Sequence, residues 1–338
     1  MKNKKKLFIY SCDTADYRGE GILANSFKGI LKKIFKDFKI ISYTPEYNFL
    51  YLKKNNSKKK LNHSFFYKYL TPLWGIFKVW QYHLKGSKTA YLNFLPLWNV
   101  FLFLFLPQKT ILGPITGGSY HGNNLHVKTL FRKKIIFTLY FLSIFLIRIR
   151  KFKCIFSSSL LQNYLPNKIK KNSLFNFQLY NFFFFKKEKK TIDIIYYNRN
   201  YYTKNNDKII PVLNKLKDKH KILILGHKVK NFHNLGIVSR NKVINLLKKT
   251  RFVFSSPENQ LSYFVLDAIR CNVKIISSSS LKPTYFKEFF VFPKKFNMIN
   301  IKKIIFAKKK NFKRKKYLQK LKMFNIKVIN FIGNSYAS

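Results

Sequence analysis

A short apolar run, a polar turn, an amphipathic helix and a second short apolar run follow one another within residues 251–277, and this order most limits the fold. Arg251–Ser255 is a strand-length apolar run, Ser255-Ser256-Pro257 is a turn signal, and Ser262 stands where a helix N-cap is expected. Phe264, Asp267, Ala268 and Cys271 then recur at helical spacing before Val273–Ser277, a second buried-strand run. Strands joined through one helix lie parallel, and parallel strands are covered by helices on both faces. Open sheets of this kind bind ligands at the carboxyl ends of their strands, so Glu258, in the turn, is placed to meet one.

The same alternation runs through the chain. In the first half the expected strands are Lys6–Ser11, Phe38–Tyr43, Ala90–Asn93, Thr110–Ile115 and Cys154–Ser157, with helices over Ile22–Ile34, up to Pro107, over Phe131–Lys153 and from Leu160. In the second half strands are expected at Ile192–Tyr197 and Lys221–Gly226. Helices are expected over Asp207–Lys219, from a Ser239 cap to Lys249, and through the basic run Lys302–Phe324. The polar-aromatic stretch Lys170–Lys190 divides the two halves, giving domains 1–183 and 184–338. Two glycine-bearing loops follow strands in the first domain. Gly19-Glu20-Gly21 closes the loop Asp13–Gly21, and Gly117-Gly118 and His121 lie in Gly113–Asn123. Loops of this composition pack poorly and let backbone amides approach a ligand.

Charge separates the two halves. The chain of 338 residues has 67 Lys and Arg against 12 Asp and Glu, a net +55, and 23 Lys and Arg occur between Glu46 and Glu188 with no carboxylate. Such a surface suits a phosphate-rich partner: an anionic membrane, a nucleotide-diphospho-sugar or a nucleic acid. The aromatic residues sit in apolar runs, and no helix-turn-helix, zinc or RRM pattern occurs, so nucleic acid is not the expected partner. Cys12, Cys154 and Cys271 lie far apart in apolar contexts, as expected of reduced structural thiols in a cytoplasmic protein. No metal-ligand spacing and no D-x-D is present, so no metal and no cofactor are expected. The apolar run Ile135–Ile147, at 13 residues, is too short to span a bilayer, and it has Arg and Lys at both ends. Peripheral attachment to the inner face of the cytoplasmic membrane is expected.

The segment 253–277 resembles the donor-binding segment of retaining glycosyltransferases of family 4, where a Ser-x-x-Glu turn precedes a helix carrying a second acid and then a buried strand. In that family seven residues separate two glutamates. Here eight separate Glu258 from Asp267, and Cys271-Asn272-Val273 stands at the usual glycine turn. The resemblance implies an α/β protein of GT-B type, with two Rossmann-like, doubly wound domains facing a central cleft and the last helix crossing back to the first domain. It implies that Arg199 and Lys204, after the first strand of the second domain, hold the donor diphosphate with Glu258 and Asp267. It further implies that the Gly19–Gly21 and Gly117-Gly118 loops line the cleft and that His121 and Glu258 take part in catalysis. The activity so implied is metal-independent, retaining transfer of a sugar from a nucleotide-diphospho-sugar to a lipid- or saccharide-linked acceptor in bacterial envelope polysaccharide synthesis. The alternatives are a basic nucleic-acid-binding protein and a GT-B protein that binds without catalysing.

Overall fold

The computed structural model describes residues 5–15, 19–45, 65–92, 96–116, 127–159, 161–199, 206–255, 261–277, 285–293, 297–306 and 314–336. The chain divides into two units. Unit 1 is Met1–Tyr180 with Met323–Ser338, and unit 2 is Asn181–Lys322.

Unit 1 contains β1 (Lys6–Ser11), α1 (Gly19–Ile34), β2 (Lys39–Tyr43), α2 (Phe65–Leu84), β3 (Lys88–Leu92), α3 (Val100–Phe105) and β4 (Ile111–Leu112). These are followed by α4 (Val127–Ile149), β5 (Cys154–Ile155), α5 (Asn167–Lys171) and β6 (Ser173–Leu174). All its strand pairs are parallel: one sheet runs β2-β1-β3-β4 and a second pairs β5 with β6. A parallel bridge between Ile115 and Phe156 carries the first sheet on to the second. Strands β1, β3 and β4 are buried along almost their whole length because helices cover them, while β2, at the sheet edge, is not, and the core is largely aromatic, with Phe8, Tyr10, Tyr91, Phe103, Tyr140 and Phe156 all but inaccessible. Buried tyrosines need partners for their hydroxyls. Tyr10 donates to the Thr71 carbonyl at 2.6 Å and Tyr91 to that of Pro72 at 3.3 Å, so α2 is held to the sheet by polar as well as apolar contact. A Cβ on Gly75 would stand 2.2 Å from the Tyr10 ring, and α2 comes this close only because it has none.

Unit 2 contains β7 (Ile192–Asn198), α6 (Asn206–Asn214), β8 (Ile222–Gly226), β9 (His233–Gly236), α7 (Arg240–Lys248), β10 (Thr250–Ser255), α8 (Tyr263–Arg270), β11 (Lys274–Ser277), β12 (Phe290–Val291) and α9 (Met298–Phe306). Its strands form one parallel sheet in the order β12-β11-β10-β7-β8-β9. From β7 the chain winds outward through β8 and β9, then returns to the other side of β7 to lay down β10, β11 and β12. This is the doubly wound α/β arrangement, with its switch of direction between β7 and β10. The last helix, α10 (Arg314–Tyr336), begins in unit 2 and from Met323 belongs to unit 1.

Most elements lie where their sequence patterns put them. Lys6–Ser11 has the same bounds, and Ser239 and Ser262 are N-caps, each accepting from the amide three residues on at 3.4 Å. The helix expected from Leu160 is instead a single 3-10 turn, Gln162–Tyr164, followed by the five-residue α5. Pro166 sits between them, and proline disfavours helical backbone at the residue before it. The basic run at 302–324 contributes to two helices rather than one. Helix α2 and strand β9 had no clear signature in the sequence. Among the described residues, no helix is long and apolar enough to cross a membrane.

Candidate functional site

The switch between β7 and β10 brings two strand ends together at the carboxyl edge of the sheet in unit 2. Val253 of β10 pairs with Ile195 of β7, so Ser255 and Asn198, the last residues of the two strands, close adjacent rows. Both are polar residues ending apolar runs, and both are buried, at 1% and 5% exposure. The Asn198 amide donates to the His227 carbonyl at 3.0 Å while the Asn198 carbonyl accepts from the His227 amide at 2.9 Å, which fixes the side chain beside the β8 turn. Among the described residues its Oδ1 has no hydrogen-bond partner, and neither does the Ser255 Oγ. A buried polar atom without a partner costs roughly 1–3 kcal/mol. These two lie at the carboxyl edge of a doubly wound sheet, the edge where such folds bind their ligands, and a polar ligand there could satisfy them.

A cation and two rings continue this edge. Arg199, the residue after Asn198, is exposed, and its guanidinium lies 5.9 Å from the centre of the Tyr197 ring, which lies 5.5 Å from that of Phe264 on α8. The site therefore offers hydrogen-bond acceptors, one fixed positive charge and a ring surface. These are the groups that bind a phosphorylated compound carrying a flat base. Lys204 and Glu258 lie outside the described residues.

Asp267 is on α8 and is buried, not solvated as a helix-surface acid would be. Arg240 of α7 donates to it from Nε at 2.9 Å and from Nη2 at 2.8 Å, and Arg270 donates from Nη1 at 3.0 Å. The two-toothed Arg240 contact ties α7 to α8. Burial lowers the Arg270 pKa while Asp267 supports its charge, and burial raises that of Tyr263 beside the two arginines. The three cysteines are buried free thiols, each pushed up to about 12 by burial.

In unit 1 the described ends of the first predicted loop, 13–15 and 19–21, lie against one another. Asp13 accepts from the Ala15 amide at 2.8 Å, the Thr14 carbonyl accepts from Asn25 at 2.8 Å, and a Cβ on Gly21 would strike the Ala15 carbonyl oxygen at 2.1 Å. Gly19, Glu20 and Gly21 form the first turn of α1. Glu20 Oε1 accepts from the Thr116 hydroxyl at 3.3 Å, which links this loop to the chain leaving β4. Gly117, Gly118 and His121 come directly after Thr116 but lie outside the described residues.

Asn198 and Ser255 were missed in the sequence. Their signal was present all the same: in IDIIYYN and TRFVFS the polar residue falls at the carboxyl end of an otherwise apolar strand. A cavity of about 740 Å³ in unit 2 lies at the opposite edge, beside the first residues of β7, β8 and β9. The amino edge of a parallel sheet is not where α/β folds bind their ligands. Among the described residues no His, Cys, Asp or Glu cluster could hold a metal ion.

No protein-family model matches the chain, and no curated protein matches it. Solved structures do. The sucrose-phosphate synthase of Thermosynechococcus elongatus aligns over 89% of this chain and 90% of its own, at 11% identity and a TM-score of 0.55. The fold is GT-B. Two other GT-B likenesses are looser: Anabaena Alr3699/HepE in complex with UDP and glucose, over 89% of both chains at 11% identity and a TM-score of 0.46, and an α-glucosyltransferase in complex with UDP and DNA, over 98% of this chain and 93% of its own at 9% identity and a TM-score of 0.45. At these identities the likeness is one of architecture.

Proposed function

We propose that this GT-B protein is a glycosyltransferase that takes a sugar from a nucleotide-diphospho-sugar, with retention of configuration and without a metal, and passes it to a lipid- or saccharide-linked acceptor in bacterial envelope polysaccharide synthesis. The observation that carries the reading is the pair of buried polar atoms without a partner among the described residues, Asn198 Oδ1 and Ser255 Oγ, at the switch point of unit 2 beside the exposed Arg199. Nucleoside hydroxyls would supply the missing donors. Arg199 and Lys204 would hold the diphosphate, whose charge rises as the glycosidic carbon–oxygen bond breaks, so fixed cations there act in the transition state. Glu258 would accept from sugar or ribose hydroxyls. Asp267, held by Arg240 and Arg270, would act on the donor by positioning α8 and the turn before it. His121 and the glycine loops of unit 1 are assigned to the sugar and acceptor side, at the inner face of the cytoplasmic membrane.

A series of nucleotide-sugars tested for their effect on melting temperature identifies the donor, since a ligand of the folded state stabilises it by mass action. Arg199→Ala and Lys204→Ala are each expected to lower transfer by about 10²–10³-fold, as for loss of one preorganised charge. Ser255→Ala should weaken donor binding by about tenfold, one hydrogen bond's worth. Undiminished transfer in the Arg199→Ala/Lys204→Ala double variant overturns the diphosphate assignment, and a chain that binds no nucleotide or nucleotide-sugar overturns the reading as a whole.

A further inference from the structure

More than half of the exposed large apolar side chains among the described residues lie on three helices of unit 1: α2, α3 and α4. Helix α4 turns Tyr140, Ile144 and Ile147 inward, yet Phe141 and Phe145 on its other side are 56% and 58% exposed. Helix α2 exposes Trp74, Phe77 and Trp80, and α3 exposes Phe101 and Phe105, stacked on each other. The three helices are joined. Trp80 Nε1 donates to the Phe105 carbonyl at 2.6 Å, and Arg150, just beyond α4, donates to the carbonyls of Phe103 at 2.8 Å and Leu104 at 2.5 Å. A joined apolar surface of this extent marks an interaction site, because water-facing helices ordinarily turn a polar side outward.

The charge around it selects the partner. None of the three helices carries a carboxylate, nor does any residue between Glu46 and Glu188. Lys78 lies over the Trp74 ring at 5.0 Å, and Arg148 and Lys168 line a cavity of about 340 Å³ with Phe141 and Phe145. Rings flanked by cations, with tryptophans among the rings, match the boundary between acyl chains and anionic headgroups. A second copy of the chain would bring the same uncompensated positive charge to the contact.

We infer that the face formed by α2, α3 and α4 docks on an anionic lipid bilayer, inserting its rings to the depth of the headgroups. This deepens the membrane part of the reading above by naming the surface, and it does not depend on the sugar chemistry. Each cation near an anionic surface raises partition about fivefold, and the rings add to it.

Sedimentation with phosphatidylglycerol vesicles and with phosphatidylcholine vesicles at low salt tests the inference. The chain is expected to bind the anionic vesicles at least tenfold better and to shift its tryptophan emission to the blue as Trp74 and Trp80 leave water. The triple variant Phe77→Glu, Phe141→Glu, Phe145→Glu replaces only exposed side chains. It should keep its melting temperature and lose at least tenfold in vesicle binding. Undiminished binding by that variant, or binding without a blue shift, overturns the inference. So does a wild-type dimer that the variant abolishes, which would give the face to a second copy. Nucleotide-sugar stabilisation measured on the same variant separates the two readings: if it persists while vesicle binding is lost, both stand, and if neither protein shows it while the wild type binds vesicles, only the glycosyltransferase reading fails.

Discussion

The two units share an architecture of parallel strands and covering helices but are held together differently. In unit 2 carboxylates join elements: Asp267 links α7 and α8 through Arg240, Asp193 pairs with Arg251 at 3.1 Å and with His220 at 3.7 Å, and Glu188 pairs with Lys248 at 3.4 Å. In unit 1 no ion pair joins elements among the described residues: its contacts are rings and hydrogen bonds, such as Phe8 stacked on Tyr82 at 3.9 Å, the Thr89 and Thr110 hydroxyls at 3.1 Å and Arg150 on the Phe103 carbonyl at 2.8 Å. The difference shows that the net charge of this chain is not one uniform property. In unit 2 acids link neighbouring elements, with Asp267 doing so from the interior, whereas helices α2, α3 and α4 of unit 1 carry rings and cations and no carboxylate.

The sharpest way to break the comparison is Asp267→Ala. Removing one partner of a buried ion pair leaves two guanidiniums uncompensated, so unit 2 should lose about 3–5 kcal/mol in a denaturant titration. A loss below 1 kcal/mol would mean that the ion pair does not brace unit 2. Next in size is Gly75→Ala in unit 1. Alanine gains about 1 kcal/mol over glycine in a helix interior, but its Cβ would overlap the buried Tyr10 ring, and overpacking costs about 1–3 kcal/mol. The expected sign is destabilising, with unit 1 melting first. A stabilised variant would show that α2 can move away from the sheet. Smallest is Ser262→Ala, which removes the cap of α8 and should cost about 1 kcal/mol. Measured beside Asp267→Ala, it separates the helix's own stability from that of its link to α7.

Much of the fold was legible because burial is written in strand-length apolar runs. Lys6–Ser11, Ile192–Asn198 and Thr250–Ser255 are such runs, and the caps Ser239 and Ser262 mark helix starts locally. Helix α2 was hidden because Pro72 stands inside it and its outward side is aromatic, so no polar stripe set off a helical period. Strand β9 is four residues, HNLG, at the sheet edge, too short and too polar for an alternation to show. The candidate site was legible only in part. The βα turns and Arg199 follow from local order, but the Asp267 partner lies 27 residues away on another helix, and whether a buried hydroxyl lacks a partner depends on the whole fold.

Helix α10 has a consequence for how the protein is made. Its last turns belong to unit 1, where the buried Tyr336 donates to the Lys153 carbonyl at 2.7 Å and accepts from Lys88 at its own carbonyl. On the ribosome, unit 1 is begun first, yet this part of it is synthesised after all of unit 2. Unit 2 can close on its own residues as they emerge. The contacts that Tyr336 makes in unit 1 can form only after the chain has been translated past unit 2.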